Sequence, residues 1–515
     1  MLILEKKDID QLKSIGKPPD TAEWEMMLLA GGVAPIELER CCSYYDGITV
    51  LSPDQEAAIA GSFEQAVLSR HAVKFVAASG AASRMFKSPF KCLQQGWVTK
   101  DLLVEKSRQG NEDSVACFKM FQNLSAFAFF PALKTLMASK GLDLESLVDN
   151  GKYQDILENL LTDRGLGYST LPKGLIPFHA YPDGARTAIE EHLFESTGYL
   201  KDQNNSVRIH FTVSPDNLDK VREHLRAAPG RLQLSNTDFD ITVSVQSQST
   251  DSLVLEQEHQ PLRDTEGRLI LYPSGHGALL ENLDSLKGDI VFIRTIDNIL
   301  PYSHQETVCF HKRVLGGYLV SLQDELFSSL RVLSSGNLDE PEFQQIKQFS
   351  ETRMNLRSPA GFDQRSLEER VQTLFHRLNA PLRICGMVRD PGYPGGRPFW
   401  IRDEGGWESL QIVESAQVDM GNNEQNDIWN SCEFFNPADI VCGVRDFRGQ
   451  PFELAKFSNP GLGFISDKTY NGRPCRVLER PGLWNGSMAC WNTVFIEVPS
   501  ITLRPVKTVL DLLDK

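Results

Sequence analysis

No C-x-x-C pair occurs in this chain, and its ten cysteines are scattered, with only Cys41 and Cys42 adjacent. That pattern fits neither zinc ligation nor the disulfide framework of a small secreted protein. No stretch approaches the roughly 20 apolar residues of a membrane-crossing helix. The opening MLILEKKDIDQLKSIG has no basic segment leading into a long apolar one, so no signal peptide is expected. Positive charge is also scarce. The formal net charge is -15, which argues against nucleic acid as a partner, because backbone affinity needs clustered Lys and Arg. Three familiar motifs are missing too: the dinucleotide G-x-G-x-x-G, the Walker G-K-[ST] and the G-x-S-x-G nucleophile elbow. These absences leave the expectation of a reducing, cytoplasmic setting, no membrane, and small ligands held by a few local cations. The oligomeric state stays open.

Hydrophobic residues make up 41% and charged residues 23% of 515 positions, the balance of a folded protein too long for one hydrophobic core, so two or three domains are expected. Residues 1–70 read as helical, the clearest piece being SPDQEAAIAGSFEQAVLSR behind a Ser52 or Asp54 cap. Val73–Ala78 reads as a short buried strand. From Pro89 to about residue 165 the pattern turns helical again, as an insert. Strands are expected at Val207–Pro215, Phe239–Gln248 and Gly288–Asn298, with helices between them. That alternation predicts an α/β fold, a mixed, mostly parallel sheet with helices on both faces. Residues 331–380 read as a helical connector and 381–515 as a β-rich region, closed by a helix over VKTVLDLLDK. The core would then span 71–330.

Five segments carry residues suited to chemistry. AASGAASRM ends the Val73–Ala78 strand in residues almost without side chains, then supplies Arg84. Ser79, Gly80 and Ala81 would keep backbone N–H groups approachable by phosphate, and Arg84 would add a forked cation. The plain alternative is a packed turn with a surface arginine. LPKGLIPFH sets Lys173 between Pro172 and Gly174, a point charge on a long stem; most such triplets are solvated turns. YPSGHGALLENL flanks His276 with Gly275 and Gly277, which would let a flat ring approach the main chain, or form a turn around a satisfied histidine. IVFIRTIDN ends an apolar strand in Asp297-Asn298, where ligands of open α/β sheets sit. An aspartate there suits Mg²⁺ or a helix cap. Finally Lys507 opens the last helical pattern, and a cation at a helix start calls for a compensating anion. LQIVESAQVDM, with Glu414, reads as a surface strand.

The order of these segments resembles that of the UTP–sugar-1-phosphate uridylyltransferases, within the nucleotide-diphospho-sugar transferase superfamily. Those enzymes carry a small-residue phosphate loop, then P-K-G, P-x-G-H-G, a strand ending D-N, and a late P-V-K followed by D-L-L. The counterparts are AASGAASRM, Pro172–Gly174, Pro273–Gly277, Ile296–Asn298 and RPVKTVLDLL. The whole chain also resembles a bacterial family classed as a domain of unknown function. The first resemblance implies a Rossmann-like fold and a role for each residue. Ser79, Gly80 and Ala81 would hold nucleotide phosphates, with Arg84 on the leaving pyrophosphate. Lys173 and Lys507 would neutralise the transferring phosphoryl and the sugar phosphate. Gln248, Gly275 and His276 would meet the base and ribose, Asn485 and Asn492 the sugar, and Asp297 would hold Mg²⁺. Where the family loop has glycines this chain has Ser79 and Ala82, and a long helical insert separates Arg84 from Lys173.

The reaction so implied joins a nucleoside triphosphate, UTP by resemblance, to a sugar 1-phosphate, giving a nucleotide sugar and pyrophosphate. Two polyanions must be aligned, so positioning and preorganised positive charge would carry it. A glycosyltransferase would more usually end its strand in Asp-x-Asp than in Asp-Asn. A non-catalytic nucleotide-sugar-binding regulator would tolerate Ser79 and Ala82.

Overall fold

The computed structural model describes residues 4–234, 236–256, 260–390, 392 and 395–513. The chain forms two compact units, each assembled from separate stretches. The first comprises Met1–Phe75, Val245–Ile293 and Phe310–Ser500; the second comprises Val76–Ser244, Arg294–Cys309 and Ile501–Lys515.

The central sheet runs Ser43–Tyr44, Gly47–Thr49, Asn492–Glu497, Leu382–Arg389, Ile440–Gly443 in the first unit, then Ile290–Thr295 and Ala72–Ala77, whose last two residues each belong to the second unit. The first four pair in parallel, and Ile440–Gly443 lies antiparallel between its two neighbours. The sheet is thus mixed and mostly parallel, as its near-continuous apolar strands predict for strands covered on both faces. Helices flank it. Pro53–Ala66 starts where expected, because Ser52 Oγ accepts from the Gln55 N–H while the Gln55 side chain returns to the Ser52 N–H. Against it packs the helix Gln305–Ser334, and only a glycine fits at the contact, since a Cβ on Gly317 would lie 2.1 Å from the Ile59 carbonyl oxygen.

Residues 1–70 hold more than helices. Leu38–Cys41 pairs antiparallel with Arg397–Arg402, and Gly47–Thr49 joins the central sheet beside Asn492–Glu497. Their partners lie hundreds of residues away, so no local periodicity announced them. The expected β-rich character after residue 381 is present, and it too draws on distant chain: Arg473–Glu479 pairs with Ser252–Glu256.

In the second unit Ser206–Val213 lies beside Asp238–Val245, and the Ala78 N–H donates to the Thr212 carbonyl at 2.9 Å. The helical insert is real, running from Lys87–Gln94 to Gln154–Leu161. The expected closing helix is instead a short 3-10 turn, Val509–Leu513. A hairpin, Pro177–Tyr181 with Gly184–Thr187, precedes the helix Ala188–Ser196, whose Thr187–Glu190 capping box sets its start. Among the described residues no helix is long and apolar enough to cross a membrane.

Candidate functional site

Four distant stretches of the second unit are bonded into one patch. The buried strand Ala72–Ala77 delivers the chain to half-buried Ser79 and exposed Gly80. The Ala82 N–H donates to the Leu171 carbonyl at 3.0 Å, and the Lys173 N–H donates to the Gly80 carbonyl at 3.0 Å. Residues 80–82 and 171–173 therefore pair directly, and the helical insert leaves and returns at that bridge. The Ile296 N–H donates to the Ala77 carbonyl at 3.1 Å. The Val506 N–H donates to the Asp297 carbonyl at 2.9 Å, and the Val509 N–H to the Met85 carbonyl at 3.0 Å. Asn298 reinforces this pairing by accepting, through Oδ1, the Arg504 N–H at 2.9 Å.

The side chains follow the backbone. Lys173 Nζ lies 3.2 Å from Asp297 Oδ2 and donates to the Val506 carbonyl at 2.9 Å. Lys507 Nζ donates to the same Oδ2 at 2.9 Å. Burial pulls the Lys173 ammonium below its usual range; Asp297 opposes this, while Lys507 and Arg84 add to it. Burial would raise the Asp297 carboxyl, but the charges of Lys173 and Lys507 and hydrogen bonds from Lys507 and Thr295 hold it down to about 2. One carboxylate between two ammonium groups leaves a net positive patch, with Arg84 exposed beside it. Lys173 is 8% exposed, whereas the Lys507 side chain is 54% exposed. The first is enclosed by its two acceptors and the second reaches Asp297 from the surface.

The loop differs from expectation in three respects. No helix begins directly after it; Ala82–Phe86 form turns before Lys87–Gln94. Gly80 does not adopt a positive φ, and nothing lies within 4 Å of the place its Cβ would take. Its use is to leave space open in front of the backbone. Ala82 is fully buried, so its methyl group faces the protein and does not crowd the exposed side of the loop. Among the described residues no acceptor meets the N–H groups of Ser79, Gly80 or Ala81, which leaves them to solvent or an anion. Lys507 likewise departs from its reading as a helix-opening lysine: its N–H and that of Thr508 donate to the Asp511 carboxylate, and the anion facing its ammonium is Asp297.

Asp297, the residue expected to hold Mg²⁺, accepts from both Lys173 and Lys507. Among the described residues no cluster of three or more His, Cys, Asp or Glu side chains offers another metal position.

The remaining expected residues belong to the first unit. His276 stacks on Trp484 at 4.0 Å and 8°, and its Nδ1 accepts the Leu483 N–H at 2.9 Å. Its Nε2 therefore carries the proton and faces Glu414 at 3.7 Å. Burial pushes the Glu414 carboxyl up, but hydrogen bonding and charge from His276 and a hydrogen bond from Asn485 bring it below its usual value. Gly277 is dictated by packing, since a Cβ there would lie 2.2 Å from the Pro481 carbonyl oxygen. Gly275 is exposed, and so is Gln248, which opens the turn Gln248–Thr250 after its strand has ended at Val245. Asn492 stands apart: its amide donates to the Leu378 and Ala380 carbonyls.

Sequence reasoning missed Thr295 and assigned no role to Asn298 or Asp511, which it met only within the D-N and D-L-L segments; all three brace the ion cluster. It also placed Glu414 on a surface strand; the signal that could have linked it to His276 lies in the fold alone.

The chain belongs to the family described as Domain of unknown function (DUF4301), matched over residues 5–515. No curated protein matches it. Among solved structures it is similar to a mutant UDP-glucose pyrophosphorylase from Leishmania major in complex with UDP-glucose. Identity there is 13%, over 99% of this chain and 79% of that one, with a TM-score of 0.43. It is also similar to the uridine diphosphate N-acetylglucosamine pyrophosphorylase from Trypanosoma brucei in complex with inhibitor, at 10% identity, covering 99% and 82%, with a TM-score of 0.46. Likeness of this order assigns no chemistry to the present chain.

Proposed function

We propose that the protein is a nucleotidyltransferase that joins a nucleoside triphosphate, UTP, to a sugar 1-phosphate and releases pyrophosphate. The observation that carries this reading is the convergence of Lys173 and Lys507 on Asp297 beside a loop whose Ser79–Ala81 N–H groups lack acceptors. Outward-facing N–H groups and adjacent cations are what a polyphosphate needs.

The reaction follows from charge and alignment. An oxygen of the sugar 1-phosphate attacks the α-phosphorus in line, one P–O bond forms, and the bond to pyrophosphate breaks. The nucleophile is already anionic, so no base is required. Lys173, buried, holds the transferring phosphoryl; Lys507, largely exposed, neutralises the incoming phosphate; Arg84 meets the leaving pyrophosphate. Asp297 orients both lysines before substrate arrives, which is the preorganisation such a transfer rewards.

The test is pyrophosphate release from UTP with a panel of sugar 1-phosphates, on the wild type and on Lys173→Ala and Lys507→Ala. Each substitution is expected to lower turnover about a hundredfold, with Lys507→Ala leaving the thermal midpoint unchanged because that side chain is largely exposed. Wild-type turnover in both variants would sink the assignment. UTP binding without pyrophosphate release under any sugar phosphate would favour a regulator instead.

A further inference from the structure

The hairpin after Lys173 carries polar groups that the phosphate chemistry leaves unused. His179 pairs across it with Arg186, and Tyr181 with Gly184. Side chains alternate along a strand, so His179 and Tyr181 share one face, and cross-strand Arg186 shares it with them. The helix Ala188–Ser196 packs on that face through Glu191 and Phe194. Glu191 Oε1 accepts from the Tyr181 hydroxyl at 2.7 Å and from His179 Nδ1 at 2.8 Å, and its side chain is 2% exposed. An ionised carboxylate can only accept, so in the neutral imidazole the proton sits on Nδ1 and Nε2 keeps a lone pair. Among the described residues Nε2 has no partner.

An aromatic plate adjoins this acceptor. The Arg186 guanidinium lies 4.3 Å over the Tyr181 ring and 4.6 Å over that of Phe194. Phe194 in turn meets the Tyr302 ring edge-on at 5.5 Å. Tyr302 is 61% exposed, an unusual position for a large ring, and its N–H donates to the Tyr181 hydroxyl at 3.0 Å. Two chain segments thus build both features. One runs from Lys173 to Tyr181, the other from Asp297 to Tyr302, and they are tied at one end by the ion pair and at the other by the Tyr302–Tyr181 bond.

An exposed aromatic ring tied through Tyr181 to an imidazole acceptor suits a polyhydroxylated ring: the aromatic face covers C–H bonds and the acceptor receives a hydrogen bond from a hydroxyl. We propose that His179 Nε2 and the Tyr302 ring read the sugar of a sugar phosphate whose phosphate is held by Lys173 and Lys507. Glu191 and Tyr181 act as positioning residues, fixing the His179 tautomer and the Tyr302 backbone. This rests on the phosphate-site reading above, and it moves sugar recognition from Asn485 and Asn492 to the second unit's own hairpin.

Calorimetric titration of the full chain decides it, with inorganic phosphate and with glucose, galactose and N-acetylglucosamine 1-phosphates as probes. The wild type should bind at least one sugar phosphate about tenfold more tightly than inorganic phosphate, the gain expected of one hydrogen bond plus stacking. His179→Gln and Tyr302→Ala should each remove most of that gain while phosphate affinity stays within about twofold. Tyr302 is exposed enough for its variant to fold. No gain over phosphate in the wild type, or a gain that survives both variants, would overturn the inference. Phosphate binding that is indifferent to Lys507→Ala would instead strike the phosphate-site reading beneath it.

Discussion

Gly80 is defined by the space in front of it. Its φ is ordinary and its missing Cβ would touch nothing within 4 Å, so a larger side chain there costs the fold little and can only obstruct what approaches the loop. Gly80→Val is expected to keep the thermal midpoint and weaken UTP binding about tenfold, measured by calorimetry; a variant that binds UTP normally would remove the loop from the phosphate site. Asp297 acts through its charge. Its folded carboxyl lies near 2, below the ordinary 3.8, so its contribution is complete above 3.8 and is lost as pH falls through about 2. The linkage amounts to about 2 kcal/mol. Asp297→Asn should therefore be less stable than the wild type at pH 7, because the buried Lys173 loses its counter-charge. It should also lose less further stability on acidification. Urea unfolding at pH 7 and near pH 3 checks both; parallel losses in the two proteins would place the acid sensitivity elsewhere.

Among elements, the paired strands Ser206–Val213 and Asp238–Val245 hold a buried imidazole. His210 Nδ1 lies 2.7 Å from Thr242 Oγ1 and Nε2 lies 2.8 Å from Ser244 Oγ. Burial pushes the imidazole down to about 4 from 6.5. The folded value is the depressed one, so stability from keeping His210 neutral is present above 6.5 and is lost as pH falls toward 4, about 3 kcal/mol in all. His210→Gln should flatten that part of the stability–pH curve, read by denaturant unfolding at steps between those values; an unchanged slope would acquit His210. The window is separate from that of Asp297, so the two effects can be told apart. The central strand Leu382–Arg389 shows another way to bury a charge. Arg383 is fully buried, and its donors go to Thr493 Oγ1, the Trp484 carbonyl and Gln411 Oε1, at 2.9, 2.6 and 3.1 Å.

On the scale of the whole molecule, the overall charge and the local patch have opposite signs. The chain carries -15 in total, yet Lys173, Lys507 and Arg84 gather around one carboxylate. A long polyanion would meet repulsion over most of the surface, while a small one needs only the patch. A labelled single-stranded oligonucleotide is accordingly expected to show no saturable anisotropy change at about 0.15 M salt; tight binding there would contradict a small-ligand site. Each unit is built from stretches far apart in the chain.

Much of this was present in the residues alone. An apolar run reads as a buried strand, small residues after it as an approachable turn, and Ser52 with Gln55 as a helix start, because these depend on neighbours within one turn or one pleat. The alternation of such segments also implied the mixed α/β sheet. Side-chain partners were another matter. Lys507 and Asp297 are 210 residues apart, and only the pairing of their backbones places both ammonium groups on one carboxylate. The inward turn of Ala82, the N-terminal strands and the His179–Glu191 pair depend in the same way on which distant segment lies alongside. Local sequence encodes conformation and periodicity; contact across the chain is set by sheet order and packing.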